Sequence, residues 1–160
     1  MKQHHVFSFL QRMGKSFMLP IAVLPVAGIF LGVGSSLTNE TTIAALHLES
    51  VLGQGTFLYS VLILLKQVGK ILFDNLPLIF AVSIALGMSK RRKEVAALAA
   101  IIAFFVMHAT INALLCLDGS IVNGVVSGQA LDGSITSVCG MLSLEMGVFG
   151  GIVVGLGVSY

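Results

Sequence analysis

Apolar positions in this chain fall in long unbroken runs, not in the short stripes of a soluble domain. The first run extends from Ser16 to Asn39 without a charged residue, with Arg12 and Lys15 before it and Glu40 after it. About 20 predominantly apolar residues suffice to carry a helix across a bilayer, so residues 16–38 predict a span. Pro20, Pro25, Gly28 and Gly32 lie inside it. Prolines in a spanning helix free backbone carbonyls that neighbouring helices must satisfy. The Gly28/Gly32 pair has G-x-x-x-G spacing, which lets a second helix approach closely. The segment therefore predicts a helix packed within a multi-helix membrane protein. Ahead of it, Val6, Phe7, Phe9, Leu10 and Met13 share one helical face, which suits a short interfacial helix; the alternative is a disordered leader.

Residues 39–56 read as a loop with Glu40, His47 and Glu49 and no Lys or Arg, containing a short helix over 43–52 that ends at Gly53 and Gly55. The next stretch is composite. Residues 57–65 are apolar, Lys66 and Lys70 follow on one helical face, and Asp74-Asn75-Leu76-Pro77 interrupts before the apolar run 78–88. Pro77 disfavours a helical Leu76, which predicts a break at 74–77. Residues 76–88 alone would reach roughly 20 Å as a helix, short of the roughly 30 Å hydrocarbon core. Residues 57–88 are therefore read as one net crossing with a break at 74–77, with 57–73 amphipathic near the outer interface. A tight basic loop over 89–94 leads to another span at 95–117. Residues 118–142 are polar, with Ile121, Val122, Val125 and Val126 placed to form a small hairpin. The last predicted span, 143–160, contains Gly147, Gly151 and Gly155 at helix-contact spacing.

Charge orients these segments. Of the nine Lys and Arg residues, Lys2, Arg12 and Lys15 precede the first span and Lys90-Arg91-Arg92-Lys93 form one loop; residues 39–56 and 118–143 have none. The positive-inside rule places the N-terminus and the 90–93 loop in the cytoplasm and makes 118–142 an extracytoplasmic loop. The expected fold class is all-α integral membrane, with about four transmembrane helices plus short interfacial helices. Composition agrees: the chain is 56% hydrophobic and 10% charged, with a mean hydropathy of +1.01, whereas soluble domains are about 25% charged. The first run is too long for a secretory signal, and no A-x-A site follows it, so it reads as retained. The basic cluster reads as a topology signal, not as a nucleic-acid patch. Two cysteines, Cys116 and Cys139, make no disulfide framework and leave a single bridge open. His4 and His5 lie in the N-terminal leader. No metal-type spacing or cofactor motif is present.

Four polar residues between or within apolar runs are candidate site residues: Asp74, Asn75, His108 and Asn112. An ionisable group at membrane depth is a functional candidate, although Asp74 could equally lie at the outer interface paired with Lys70. His108 and Asn112 are four apart near the middle of the 95–117 span. They could line a polar path or hydrogen-bond a neighbouring helix. Glu145 suits a helix N-terminus. No nucleophile–base pair, phosphate loop or metal cluster is visible, so no catalytic residue is assigned.

The segment Gly14-Lys15-Ser16-Phe17-Met18-Leu19-Pro20, continuing IAVLPVAGIFLGVGSSL, resembles the start of the IIC membrane component of bacterial phosphoenolpyruvate-dependent sugar phosphotransferase permeases, in the glucose/maltose/N-acetylglucosamine superfamily. Asn75-Leu76-Pro77-Leu78-Ile79-Phe80-Ala81 with Ala85-Leu86-Gly87, Val95-Ala96-Ala97-Leu98-Ala99-Ala100, and Ser143 to Ile152 are similar to its next three landmarks, in order. At the Glu145 position the family more often has Asp. The region with SITSVCGMLSLEMG looks closer to the maltose/glucose type. The resemblance implies a homodimeric permease of about ten spans in the bacterial inner (cell) membrane, multi-pass with a cytoplasmic N-terminus. Its first half would be a dimerising scaffold and its second half the sugar site, working with IIB and IIA phosphocarrier components. The family's Gly-Ile/Thr-Thr-Glu-Pro motif is not found here, and neither cysteine has the phosphocysteine context, so no IIB or IIA domain and no family catalytic residue is assigned. The expectation is an N-terminal scaffold half, cut after its fourth or fifth span and inactive alone, with the sugar left open. The alternatives are a free-standing small membrane protein that binds or regulates a partner permease, and a small channel using Asp74, His108 and Asn112.

Overall fold

A computed structural model describes residues 2–53, 55–127 and 133–159. Expectations for the side chains of His4 and His5, and for residues 128–132 of the polar loop, lie outside the described residues. The long apolar runs form helices: α1 (Lys2–Ser16), α2 (Met18–Leu37), α3 (Glu40–Ala45), α4 (Glu49–Leu52), α5 (Phe57–Asp74), α6 (Leu76–Met88), α7 (Lys93–Leu117) and α8 (Gly147–Ser159). Two antiparallel hairpins lie between α7 and α8. One pairs β1 (Ile121–Val122) with β2 (Val125–Val126), and the other pairs β3 (Ile135–Val138) with β4 (Met141–Leu144).

By length and hydropathy, Val6–Leu37 and Lys93–Leu117 can each cross a bilayer, and α5 with α6 meets the same test as a broken pair. The fold is thus that of an all-α integral membrane domain, with the hairpins inserted between its helices. Pro20 lies in the first turn of α2, where its missing N–H costs no hydrogen bond, whereas Pro25 lies inside the helix. The break predicted at 74–77 falls on Asn75 alone. Leu76 is helical, because Pro77 occupies the first turn of α6, a position that proline favours. The final helix starts at Gly147 (φ 51), since Ser143 and Leu144 belong to β4.

The chain forms two compact units, residues 21–74 and residues 1–20 with 75–160. In the first, Ile43, Leu52 and Leu62 make the core, with Leu37, Leu48, Tyr59 and Leu65 packed against it. Asn39 caps α3, accepting a hydrogen bond from the Thr41 N–H at 3.0 Å. The α2 and α5 backbones touch at glycines. A Cβ at Gly34 would stand 2.6 Å from the Lys66 nitrogen, and one at Gly69 would stand 2.8 Å from the Ala27 carbonyl oxygen. At Gly28 and Gly32 a Cβ would meet nothing within 4 Å.

In the second unit, Ala81, Phe104 and Val154 form one buried cluster, and Ala85, Ala96 and Ala100 form another. Small residues let the backbones close up. A Cβ at Gly151 would collide with the Pro77 carbonyl, and one at Gly155 would lie 2.7 Å from the Ala81 carbonyl oxygen. The pairings 77 with 151 and 81 with 155 run the same way, so α6 and α8 are parallel, with α8 starting about one turn before α6. Met107 of α7 reaches Gly150, and Phe104 meets Ala81 in the buried cluster. Hence α6 and α8, each 13 residues long, cover only about half of the 25-residue α7. On the other side of α6, Ser16 packs directly on Gly87, and the rings of Phe17 and Phe80 lie 5.7 Å apart.

Gly151→Val should therefore lower stability by about 1–3 kcal/mol, the range for overpacking a closed contact. Gly157→Val, where a Cβ meets nothing within 4 Å, should change it far less. Thermal unfolding of both variants in detergent, read by size-exclusion profile, checks the contrast.

Candidate functional site

The structure gathers three of the four candidate residues around the β3–β4 hairpin. The hairpin turns at Cys139 (φ 50) and Gly140 (φ 86). Two successive positive φ values in a two-residue loop make the type I′ geometry that matches strand twist. The partner pairs are Val138 with Met141, Ser137 with Leu142, Thr136 with Ser143 and Ile135 with Leu144. In such a hairpin the pair flanking the turn exchanges hydrogen bonds and the next pair does not. The carbonyl of Leu142 therefore faces away from β3 and needs another donor.

Asn112 of α7 is that donor, with its Nδ2–H2 group 2.6 Å from the Leu142 carbonyl oxygen. One turn earlier on α7, His108 Nδ1 lies 2.8 Å from Ser143 Oγ. Both groups are almost sealed, His108 at 2% exposure and Ser143 at 0%. The His108 ring also packs edge-on to Phe104, with ring centroids 4.5 Å apart. At the hairpin tip the Cys139 thiol donates to Asn75 Oδ1 at 3.3 Å, and Cys139 with Val138 packs on the Ala81–Phe104–Val154 cluster. Asn75 is the break residue between α5 and α6. Three polar side chains thus hold one strand and one turn.

Asp74 does not share this arrangement. It ends α5 and accepts from Lys70 Nζ at 2.8 Å, with both side chains about half exposed. An exposed i,i+4 pair contributes little stability, and this is the Lys70 pairing that the sequence left open for Asp74. Glu145 is exposed, and its N–H donates to the Ser134 carbonyl at 2.9 Å, extending the hairpin.

The arrangement has little chemical capacity. His108 and Ser143 stand at the spacing of a base and a nucleophile, but both are buried, and the ring nitrogen that contacts Ser143 is held inside a packed cluster. Among the described residues no group of three His, Cys, Asp or Glu side chains could hold a metal ion, and no buried side-chain nitrogen or oxygen lacks a hydrogen-bond partner. Both cysteines are free, Cys116 exposed and Cys139 half-buried. Burial pushes the Cys139 thiol above its ordinary pKa. Sequence reasoning found His108, Asn112 and Asn75 as polar interruptions of apolar runs but missed Leu142, Ser143 and Cys139. The only local signal was the Cys-Gly turn, weaker than the Asn123-Gly124 turn of the β1–β2 hairpin.

Ser143→Ala should leave His108 without its partner and destabilise by about 1–3 kcal/mol, with faster hydrogen exchange at the β3–β4 amides by mass spectrometry. A maleimide should modify Cys116 faster than Cys139 at pH 8, because the thiolate is the reactive form and Cys139 is both shielded and harder to ionise. Asn75→Ala should accelerate modification at Cys139 and leave the Cys116 rate unchanged.

Comparison with known proteins gives a family. Residues 14–160 match the family described as "Phosphotransferase system, EIIC". The chain is also similar to the PTS system glucose-specific EIICBA component of Staphylococcus saprophyticus, 39% identical over 150 residues, which is 94% of this chain and 20% of that protein. The chain therefore spans about one fifth of the length of that relative. A match over nearly the whole sequence places this chain in the EIIC family of the phosphotransferase system.

Proposed function

We propose that residues 1–160 are the N-terminal scaffold and dimerisation part of a sugar-specific phosphotransferase permease, one that translocates a hexose or glucoside and couples passage to phosphorylation. The observation that carries this reading is the EIIC match over residues 14–160. The name of the glucose-specific relative favours glucose or a close analogue as the sugar, and its B and A components favour IIB and IIA phosphocarriers as partners. Spans at about 16–38, 57–88 and 95–117, with the shorter α8 (Gly147–Ser159) after them, would set the protein in the bacterial cell membrane with its N-terminus in the cytoplasm.

The packing supports a scaffold role. Asn75, His108 and Asn112 are each engaged with the β3–β4 hairpin, and Asp74 with Lys70, so none is left as a dedicated sugar ligand. Gly34 and Gly69 are taken up by the α2–α5 contact, whereas Gly28 and Gly32 are open. Their G-x-x-x-G face is suited to a helix from a second copy.

Expressed alone in a strain without its own glucose permease, residues 1–160 should give no sugar uptake, and uptake by this chain alone would overturn the scaffold reading. Gly28→Leu with Gly32→Leu should reduce the cross-linked dimer several-fold without loss of the folded monomer peak. An unchanged dimer fraction would remove this face from the interface. In intact cells, a membrane-impermeant maleimide should reach Cys116, and should fail to reach a cysteine placed at Lys90.

A further inference from the structure

The second unit contains a cavity of about 550 Å3, lined by Arg12 of α1 and by Lys90 and Arg91 of the α6–α7 turn, with Ser8, Phe9 and Met88 between them. Three cations thus share one concave space. The ion pair seen at Lys70–Asp74 has no counterpart at Arg12, Lys90 or Arg91 among the described residues. Ser89 closes the turn by donating its hydroxyl to the Arg91 carbonyl at 2.6 Å, and Arg92 follows in the left-handed region at φ 52.

A topology signal alone does not require this arrangement. The positive-inside rule counts charges near the ends of spans, and Arg92 and Lys93 serve it as well as Lys90 and Arg91. Only the latter two join Arg12 in lining the cavity. Like charges drawn together repel unless an anion lies between them. Two guanidinium groups can grip a phosphate through paired N–H donors, while an ammonium supplies a point charge. The apolar part of the lining is Phe9 and Met88, both partly buried, and the rest is the serines Ser8, Ser89 and Ser159. Val6, Phe7 and Leu10 of the same helix are exposed, as suits a surface facing acyl chains.

We propose that this cavity binds a phosphate-bearing anion supplied as the headgroup of an anionic phospholipid. The phosphate sits between Arg12, Lys90 and Arg91, and the glycerol and first methylenes rest on Phe9 and Met88. Basic pockets between helices at the cytoplasmic face are suited to such headgroups. The inference goes beyond the permease assignment, and its test does not depend on transport.

The full chain in detergent would be exposed to equimolar phosphatidylglycerol and phosphatidylcholine and examined by native mass spectrometry. The expected result is one phosphatidylglycerol retained about tenfold over phosphatidylcholine, falling to about onefold in Arg12→Gln/Arg91→Gln. Because charge removal can invert topology, two charge-conserving variants accompany it. Arg12→Lys/Arg91→Lys loses the paired donors, and Ser8→Trp fills the cavity; both should lose most of the preference. Inorganic phosphate at millimolar concentration should not displace the lipid. Saturable phosphate binding without lipid preference would overturn the lipid source and assign the site to a soluble phosphate compound. Equal retention of both lipids with no phosphate binding, or a preference unchanged in all three variants, would overturn the site.

Discussion

Backbone amides and carbonyls that face hydrocarbon must find partners inside the protein, and this requirement governs the second unit. A 13-residue helix spans roughly 20 Å, too little for a hydrocarbon core of roughly 30 Å. Here α6 and α8 are both that short, run in parallel and begin within about a turn of each other beside the middle of α7. The C-terminal half of α7 runs on past their N-termini. The β3–β4 hairpin lies beside it, along Phe104 to Asn112. Non-helical backbone packed among apolar helices must likewise have its polar groups satisfied. The ladder satisfies the inward-facing groups, Asn112 takes the outward carbonyl of Leu142, and Ser143 is matched by His108. Polar residues in the α7 span follow from the strand that α7 must hold.

The same requirement explains where the glycines are used. Parallel α6 and α8 approach until the Pro77 and Ala81 carbonyls lie against Gly151 and Gly155, which no residue with a side chain could permit. In the other unit, Gly34 and Gly69 do the same for α2 and α5. A hydrophobic side chain adds little to helix association in lipid, because the acyl chains are equally apolar. Close backbone packing and a few interhelical hydrogen bonds therefore carry the specificity. Gly28 and Gly32 have the same i, i+4 spacing as Gly151 and Gly155, yet a Cβ at either would meet nothing within 4 Å, so they make no such close contact in this structure.

Much of this was legible in the sequence and some was not, for physical reasons. Runs of 20 or so apolar residues have few alternatives to a helix, and their lengths, the interruption near Asp74 and the basic 90–93 loop could be read directly. The break was placed three residues too broadly, because Pro77's restriction of Leu76 is a preference that gives way where the proline itself suits the first turn of a helix. The start of α8 was misjudged because Ser143 and Leu144 extend an apolar run, and a buried strand and a buried helix look alike over so short a stretch. His108 and Asn112 stood out as polar residues within a span. Their partners lie 35 and 30 residues further along, and spacing within a helix carries no information about a contact at that separation. Likewise the G-x-x-x-G pattern identified glycines able to make close contacts, without distinguishing the internal contacts from the open one.

The two ends of α6 show how polar groups are treated differently in one unit. At its start, Asn75 interrupts the helix and its side chain is taken by the hairpin tip, so a polar group at depth is neutral and paired. At its end, Ser89 to Arg91 turn back with cationic side chains lining a cavity. Neutral polar groups can be satisfied by a neighbouring strand at modest cost, whereas cations drawn together require an anion or water. An internal carboxylate would have closed the basic end as the hairpin closes the other. Among the described residues that line the cavity there is none.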